Sequence, residues 1–452
     1  MGENDSKKTA DLDKEYIWHP FTQMQEYEQK DPVVIEKGDG VYLYDSEGNK
    51  YIDGVSSLWV NIHGHKVPEI DEAIKNQVDN ISHSTLLGIT NPPAAKLAEE
   101  LIRICPSGLK KVFYSGDGAS AVEVGIKMAF QYWKNKEKPK KTKFVYLENG
   151  YHGDTLGAVS VGGIDLFHSA FKDLLFETYK APSYYCYRCP LNKTYPSCNI
   201  ACADEIDKIL SENHEEICAV ILEPYVQAAG GMIVAPEGYL KKVREYCDKH
   251  DVLLIVDEVA TGFGRTGEMF ACEHEGVTPD ILVLGKGMTG GYLPLSATIT
   301  NQKVYDAFLG EYEEYKTFFH GHSYAGNPIS CAASIANIEV FEKNDTLTEL
   351  KGKIEYFENE LKEFTGLSHV GNVRNKGLMA GIELVEDKKT KKPYEAKEKI
   401  GWQVCDRAME DEVLLRPLGN VVVLMPPLGI EMEDLKKLMK VTFQSIKEAT
   451  ES

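Results

Sequence analysis

The sequence predicts an α/β protein, with a mostly parallel sheet in a large domain and a smaller α+β domain built from both chain ends. Three observations support this class. From about residue 110, short apolar runs alternate with helical patterns. The run VLLIVDEV is almost wholly apolar, as in a parallel strand that is buried on both faces. Past about residue 335, long charged helical patterns surround short strands.

The elements follow in chain order. Residues 1–15 are expected to form a flexible tail, and residues 16–70 the first part of the small domain, with a β-hairpin turning at Ser46–Asn49. Residues 71–334 are expected to form the large domain, with strands at KKVFYS, KFVYLENG, ICAVILEP, VLLIVDEV and DILVLG and helices at AVEVGIKMAFQYWKN and EGYLKKVREYCDKH. Residues 335–452 are expected to complete the small domain, with helices over Ile338–Phe364, Ala396–Asp411 and Met432–Thr450 around the strands GLMAGIELV and VVVLMPP.

Composition and charge exclude several classes of partner. The chain has 452 residues and a net charge of −20, so nucleic acid and anionic membranes would repel it. No apolar run is long enough to cross a membrane, and the charged N-terminus is not a secretory signal. Gly2 and Ser6 match a myristoylation pattern, but no basic cluster accompanies them. Ten cysteines in such a chain predict the reducing cytoplasm.

Four cysteines lie close together in the stretch YCYRCPLNKTYPSCNIAC. Cys186 and Cys189 form one pair, and Cys198 and Cys202 form a second pair after eight residues. The spacing is compatible with a structural zinc or iron–sulfur site. The central gap is shorter than usual for zinc, so we favour the alternative, a Pro- and Tyr-rich loop with incidental thiols and no metal.

Residues capable of chemistry follow directly after five of the predicted strands. These are Ser115–Gly118, Asn149–Asp154, Glu223, Asp257–Glu258 and Lys286. Ligands of parallel sheets bind beyond the carboxyl ends of the strands. The sequence therefore predicts one active site at this edge of the sheet.

The chemistry of these residues points to a particular cofactor. The stretch Gly116-x-Gly118-x-x-Ala121 opens a helix after a strand and can hold a phosphate. Lys286 lies between glycines at the end of an apolar run, where a lysine can become a nucleophilic amine that forms a Schiff base. Asp257 ends a buried strand and needs a cationic partner. Together these describe a site for pyridoxal 5'-phosphate (PLP), whose pyridinium is such a partner.

Two other classes remain open on these residues alone. An NAD-dependent dehydrogenase could use the loop at Gly116, because a lone glycine fingerprint does not say which phosphate it holds. A non-catalytic regulator on the same fold is also conceivable, although an intact pair of Lys286 and Asp257 argues against it.

Longer stretches carry a resemblance to a known family. NGYHGDT, VLLIVDEVATGFGRTGEMFACEH, PDILVLGKGMTGGYLPLSAT and HGHSYAGNPISCAA resemble the class III (omega) aminotransferases of fold type I over nearly the whole chain. The resemblance implies a mostly parallel sheet of seven strands, PLP as cofactor and a homodimer with shared active sites. EYIWHPFTQM and LLRPLGNVVVLMPP are similar to the members that aminate 7-keto-8-aminopelargonate in biotin synthesis.

The resemblance also implies roles for individual residues. Lys286 would bind PLP covalently and move protons, Asp257 would pair with the pyridine nitrogen, and Tyr151 would stack on the ring. Gly118 and Ala119 would bind the phosphate, together with Ser323 of the neighbouring subunit. Arg416 would pair with a substrate carboxylate, Asp154 would lie near the amino substrate, and Arg265 and Glu223 would form a switchable ion pair near the site.

Two departures from the family pattern bear on the amino donor. Members that use S-adenosylmethionine carry a tyrosine after His-Pro and two adjacent tryptophans, where this chain has Phe21 and Leu58–Trp59. A sulfonium donor would lose stacking and cation–π contacts there. We expect formation of 7,8-diaminopelargonate, and because of these departures lysine is a candidate donor. The alternative is a catabolic omega-aminotransferase that acts on taurine, a diamine or another small omega-amine with pyruvate or 2-oxoglutarate.

Overall fold

The computed structural model describes residues 3–451, and the myristoylation pattern at Gly2 lies outside them. Helices occupy much of the chain and pack around four sheets. They are α1 Glu3–Tyr16, α2 Met24–Tyr27, α3 Ser56–Trp59, α4 Pro68–Asn80, α5 Pro92–Ile104, α6 Gly118–Asn135, α7 Leu156–Ser160, α8 Asp165–His168, α9 Ala201–Asn213, α10 Tyr239–Lys249, α11 Gln302–Asp306, α12 Pro328–Lys343, α13 Thr346–Phe364, α14 Ile400–Glu410 and α15 Met432–Glu451.

The largest sheet has seven strands in the order β4-β12-β11-β10-β7-β5-β6. Its strands are β4 Leu109–Ser115, β5 Lys143–Leu147, β6 Thr178–Ala181, β7 Ile217–Leu222, β10 Leu253–Asp257, β11 Ile281–Leu284 and β12 Ser296–Asn301. The strands from β11 to β6 are parallel to one another, and β12 runs antiparallel to both of its neighbours. The predicted fold class, with a mostly parallel sheet of seven strands, is confirmed.

Burial explains why this sheet forms where the sequence predicts it. Every residue of β7, β10 and β11 is buried, as expected for apolar strands with helices on both faces. The helix between β4 and β5 begins at Gly118, because the side chain of Asp117 accepts a hydrogen bond from the backbone N–H of Ser120 at 2.9 Å.

Three smaller sheets come from the two ends of the chain and from a short hairpin. The first has the order β1-β2-β3-β16, and the second has the order β13-β14-β18-β17 with β15 beside β14. The third pairs β8 with β9. Their strands are β1 Ile35–Asp39, β2 Tyr42–Asp45, β3 Lys50–Asp53, β8 Val226–Gln227, β9 Ile233–Val234, β13 Val370–Lys376, β14 Met379–Asp387, β15 Lys392–Pro393, β16 Val413–Leu414, β17 Arg416–Leu418 and β18 Val421–Leu424. Strand β16 joins the N-terminal strands, so both chain ends contribute to one sheet.

The structure differs from the flexible tail expected for residues 1–15. Helix α1 begins at Glu3 and occupies the described part of this stretch, and Ala10 on it is 3% exposed. Asp13 accepts hydrogen bonds from His19 at 2.9 Å and from Tyr27 at 2.6 Å, and Lys14 pairs with Asp31 at 2.6 Å. A tail was expected because this stretch is charged and lacks an apolar core, and its partners lie later in the chain.

Two predicted C-terminal helices are also divided. The helix expected over Ile338–Phe364 is two helices, α12 and α13, separated at Asn344–Asp345, where Asp345 has a φ of 45°. The helix expected from Ala396 begins with a 3-10 turn over Ala396–Glu398, and α14 starts only at Ile400. An apolar period continues across such breaks, which is why it does not reveal them.

No helix within residues 3–451 is both long and apolar enough to cross a membrane. The boundaries 16–70, 71–334 and 335–452 for the parts of the two domains stay predictions.

Candidate active site

A cavity of about 1180 Å³ opens at the carboxyl ends of the parallel strands. The residues that follow β4, β5, β7 and β11, together with the last residue of β10, contribute to its lining. They include Gly116–Ala119, Asn149, Tyr151–Thr155, Glu223, Asp257 and Lys286. The structure therefore brings together the strand ends whose convergence the sequence predicts. The chemistry of the cavity is defined by the amine of Lys286 and the carboxyl groups of Asp257 and Glu223.

Lys286 lies at the end of β11 with its amine beside the ring of Trp59. The Nζ atom is 5.0 Å from the ring centroid, and within residues 3–451 it forms neither an ion pair nor a hydrogen bond. Burial lowers the pKa of the Lys286 ammonium below its usual value, although Asp257 and Glu223 attract the charged form. A lysine with a lowered pKa holds a larger fraction of its nucleophilic neutral amine at neutral pH.

Asp257 ends β10 and is 4% exposed. One oxygen contacts Nδ1 of His152 at 2.7 Å, and the other accepts the backbone N–H of Val259 at 3.0 Å. His152 is buried as well, and its Nε2 has no hydrogen-bond partner within the described residues. No role was predicted for His152 itself, although it lies in the predicted range Asn149–Asp154. Its place in NGYHGDT, after a predicted strand, was the available signal.

Glu223 follows β7 and is buried beside these groups. It accepts the backbone N–H groups of Tyr151 at 3.0 Å and of Ala228 at 2.9 Å. Burial raises the pKa of Glu223 to about 7, and the negative charge of Asp257 contributes in the same direction. The Tyr151 hydroxyl donates to Asp154 at 2.7 Å, so these two predicted site residues lie together at the cavity.

The N-terminus of α6 faces the cavity through Gly118 and Ala119. The first backbone N–H groups of a helix have no partner inside the helix and attract anions. Gly118 also allows a close approach, because a Cβ atom at this position would lie 2.7 Å from Cγ1 of Val259. This end of the cavity is thus suited to a phosphate group.

The predicted substrate residues Phe21, Leu58, Trp59, Asp154 and Arg416 also line the cavity. Phe21 packs edge-on against Phe167, with 5.2 Å between the ring centroids. Arg416 begins β17, and its guanidinium lies 5.9 Å from the ring centroid of Trp402 on α14. Trp402, which was not predicted from the sequence, also lines the cavity. A single tryptophan in a helical pattern does not indicate from sequence that its side chain lines a cavity.

Two predicted site residues lie elsewhere. Arg265 is 1% exposed and does not line the cavity. Its guanidinium donates to backbone oxygens of Pro426 at 2.9 Å and Asn61 at 2.7 Å, and the predicted ion pair with Glu223 is not formed. Ser323 is exposed, and its carbonyl accepts a hydrogen bond from His83 at 2.8 Å. A buried arginine that donates to main-chain oxygens cannot be told from an ion-paired one by sequence.

The four cysteines of the predicted loop surround a separate cavity of about 20 Å³. All four are free thiols. In the part of the chain that the structure describes, no group of three or more His, Cys, Asp or Glu residues is placed to hold a metal ion. The loop packs on the C-terminal sheet, because Arg188 pairs with Glu383 at 2.7 Å.

Comparison with known proteins identifies the class. The family model of class III aminotransferases matches residues 23–446, so the chain belongs to this family and is an aminotransferase of fold type I.

The particular relatives are consistent with one another. The adenosylmethionine-8-amino-7-oxononanoate aminotransferase of Geobacter sulfurreducens is 53% identical over 451 residues, which cover 100% of both chains. The crystal structure of the enzyme of the same name from Methanocaldococcus jannaschii has a TM-score of 0.94 and 48% identity and covers 98% of this chain and 99% of that one. A thermostable omega transaminase variant from Pseudomonas jessenii is similar at a TM-score of 0.94 and 30% identity, covering 98% of each chain.

Proposed function

We propose that the cavity binds PLP and that its residues perform a ping-pong amino transfer. The observation that carries the proposal is the meeting of three groups at one cavity: the amine of Lys286, the buried carboxylate of Asp257 and the N-terminus of α6. When bound, PLP supplies an electron sink for charge that develops on the substrate carbon.

These residues fit the cofactor chemically. Lys286 would hold it covalently through Nζ, and the lowered pKa of this amine supports that role. Asp257 would pair with the pyridine nitrogen, and the hydrogen bond from His152 would keep the carboxylate oriented. Gly118 and Ala119 would bind the phosphate through their backbone N–H groups. Tyr151 would cover one face of the ring and orient Asp154 toward the amino group of the substrate.

The same amine also serves as the proton carrier in this proposal. With its Nζ free, Lys286 would be the base of the cavity. Burial beside Trp59 lowers the pKa of this Nζ and keeps it away from bulk water. A general base works best when its pKa lies near the working pH, which the lowered pKa favours.

The proposed acceptor is 8-amino-7-oxononanoate, also named 7-keto-8-aminopelargonate, and the product is 7,8-diaminopelargonate. The names of relatives at 48–53% identity support it. Arg416 would bind the carboxylate of the acceptor, since within residues 3–451 its guanidinium forms no ion pair.

The proposed amino donor is lysine in preference to S-adenosylmethionine. Phe21 lacks the hydroxyl, and Leu58 lacks the large ring, that would contact an adenosyl sulfonium. The second candidate function is a catabolic omega-aminotransferase that uses taurine, a diamine or another small omega-amine with pyruvate or 2-oxoglutarate. The similarity to omega transaminase structures favours it, but their identity is only 30%.

We further propose a cytoplasmic homodimer with shared active sites. Ser323 lies on the surface next to exposed aromatic side chains, of which Phe319 is 72% exposed and Tyr324 is 71% exposed. Such a surface is suited to a second copy of the chain, whose cavity Ser323 would reach. The ten free thiols support a reducing compartment.

Three experiments test these proposals. The purified protein should be yellow, and borohydride followed by peptide mapping should find the cofactor on Lys286. A colourless protein would refute the cofactor. Lysine should discharge the colour, and 8-amino-7-oxononanoate should restore it. Restoration by pyruvate or 2-oxoglutarate alone would favour the catabolic function.

The shared site is tested by mixing two inactive variants. A Lys286→Ala chain paired with a Ser323→Ala chain contains one complete site, with Lys286 from one chain and Ser323 from the other. Mixed dimers should therefore regain PLP affinity and activity that neither parent shows. If mixing restores nothing in dimers shown to exchange subunits, Ser323 does not act across an interface.

A further inference from the structure

The short helix α3, Ser56–Trp59, has an unusual backbone. Its four residues have φ angles of 53°, 49°, 71° and 69°, and we call this segment the left-handed turn. It is closed by hydrogen bonds from the backbone N–H groups of Trp59 to Val55 at 2.8 Å and of Val60 to Ser56 at 3.0 Å. Residues other than glycine rarely adopt this conformation in succession, because Cβ crowds the following carbonyl.

The left-handed turn forms part of the cavity wall. Leu58 and Trp59 line the cavity, and the ring of Trp59 lies 5.0 Å from Nζ of Lys286. Side-chain direction follows the backbone angles, so an ordinary turn would direct these two side chains elsewhere. The shape of the wall therefore depends on a conformation that the surrounding structure must impose.

Asp53 supplies the anchor at the centre of the turn. Its side chain is fully buried, Oδ1 accepts the backbone N–H of Ser57 at 2.9 Å, and Oδ2 accepts the Ser57 hydroxyl at 2.7 Å. Asp53 does not itself line the cavity. Both of its bonds to the turn thus fix Ser57, the residue directly before Leu58 and Trp59.

A second set of contacts holds Asp53 in turn. Asn61 accepts the backbone N–H of Gly64 at 2.8 Å through Oδ1, so its amide nitrogen donates to Nδ1 of His65 at 3.0 Å. Because Nδ1 accepts, Nε2 carries the proton that is donated to Asp53 at 3.1 Å. The hydrogen bonds thus run from Asn61, just after the turn, through His65 to Asp53, which bonds to the turn itself.

Buried Arg265 provides a further set of hydrogen bonds to residues in and beside the turn. It donates to the Ser56 hydroxyl oxygen at 3.2 Å and to the carbonyl of Asn61 at 2.7 Å, and the Ser56 hydroxyl donates to the carbonyl of Met425 at 2.7 Å. Ser56 at the start of the turn and Asn61 just after it are thereby tied to the C-terminal part of the chain. Ser57 in the middle of the turn is held by the side chain of Asp53.

We propose that Asp53 is a positioning residue that sets amine specificity by holding the left-handed turn, and with it Leu58 and Trp59, in the cavity wall. This inference rests on the proposed function only in taking the cavity as the active site. Releasing the turn would change the space beside the donor amine. The ratio of kcat/KM between a small and a bulky amine donor is then expected to change by about tenfold or more, the size typical of a hydrophobic wall contact.

The experiment uses the variants Asp53→Ala and Asp53→Asn, with Asp45→Ala as a matched control. Asp45 is also buried and accepts bonds from the backbone N–H groups of Glu47 at 3.0 Å and Asn49 at 2.8 Å, but it does not line the cavity or contact the left-handed turn. The first readout is the fluorescence of Trp59, obtained by subtracting the spectrum of each protein's Trp59→Phe counterpart. The second is the donor selectivity.

Asp53→Ala should shift the Trp59 emission to longer wavelength and change the donor selectivity, whereas Asp45→Ala should change neither. Asp53→Asn, which keeps an acceptor for the Ser57 N–H, should restore most of both. If Asp53→Ala does not fold, Ser57→Ala should give a smaller shift in the same direction. An unchanged Trp59 spectrum and unchanged selectivity in the folded variant would overturn the proposal. The spectrum needs no substrate, so a wrong substrate assignment would leave this test intact.

Discussion

Arg416 allows a quantitative test of substrate recognition. Its guanidinium lies in the cavity with the Trp402 ring 5.9 Å away and forms no ion pair within residues 3–451. A hydrogen-bonded contact between two charged groups contributes about 1.5–3 kcal/mol, which corresponds to a factor of about 10–150 in kcat/KM. Arg416 is only partly buried, so solvent screening favours the lower part of this range, about 10- to 30-fold.

The perturbation is Arg416→Met, assayed with 8-amino-7-oxononanoate and with its methyl ester. The substitution should lower kcat/KM for the acid by about 10- to 30-fold through KM and leave the ester nearly unchanged, because the ester has no carboxylate to pair. Arg416→Lys should lie between, since it keeps the charge and loses the planar fork. Equal losses for the acid and the ester would refute the assignment of Arg416 to the carboxylate.

Three further predictions concern the interior of the site. Because burial raises the pKa of Glu223 to about 7 from 4.5, the folded chain holds a proton that the unfolded chain releases. The free energy of unfolding of the apoenzyme should therefore decrease by about 3 kcal/mol as the pH rises from about 4.5 to about 7, owing to this residue. Glu223→Gln should remove this part of the pH dependence when urea unfolding is measured at each pH. His152→Leu leaves the buried Asp257 carboxylate without its side-chain partner and should lower the free energy of unfolding by about 1–3 kcal/mol in the same assay; no loss would mean that another group replaces it. Gly118→Ala should weaken PLP binding in a titration because its Cβ would lie 2.7 Å from Val259, and adding Val259→Ala should restore the affinity, unless the main chain itself has moved.

The strands of the large sheet could be predicted because their signal is local. The buried strands β7, β10 and β11 are continuous apolar runs, and a parallel sheet brings their carboxyl ends to one edge. That rule alone is sufficient to bring Lys286 and Asp257 to one cavity, where both side chains lie.

Other parts of the site depend on contacts between residues that are distant in sequence. The partner of Asp257 is His152, 105 positions away, and the contacts of Arg265 reach Asn61 and Pro426. No periodicity relates such pairs, so an ion pair was expected for Arg265 where the structure has main-chain oxygens.

The amino-acid sequence by itself therefore determined the fold class, the strand ends that line the cavity and the chemical types of the groups there. Apolar runs and the alternation of strands with helices decide the first two, and the residues that follow each strand decide the third. Only the tertiary structure decided how the cavity wall is shaped. The left-handed turn at Ser56–Trp59 is unfavourable for its own residues and exists because Asp53 and Arg265 hold it. Local preference cannot predict a conformation that local preference opposes.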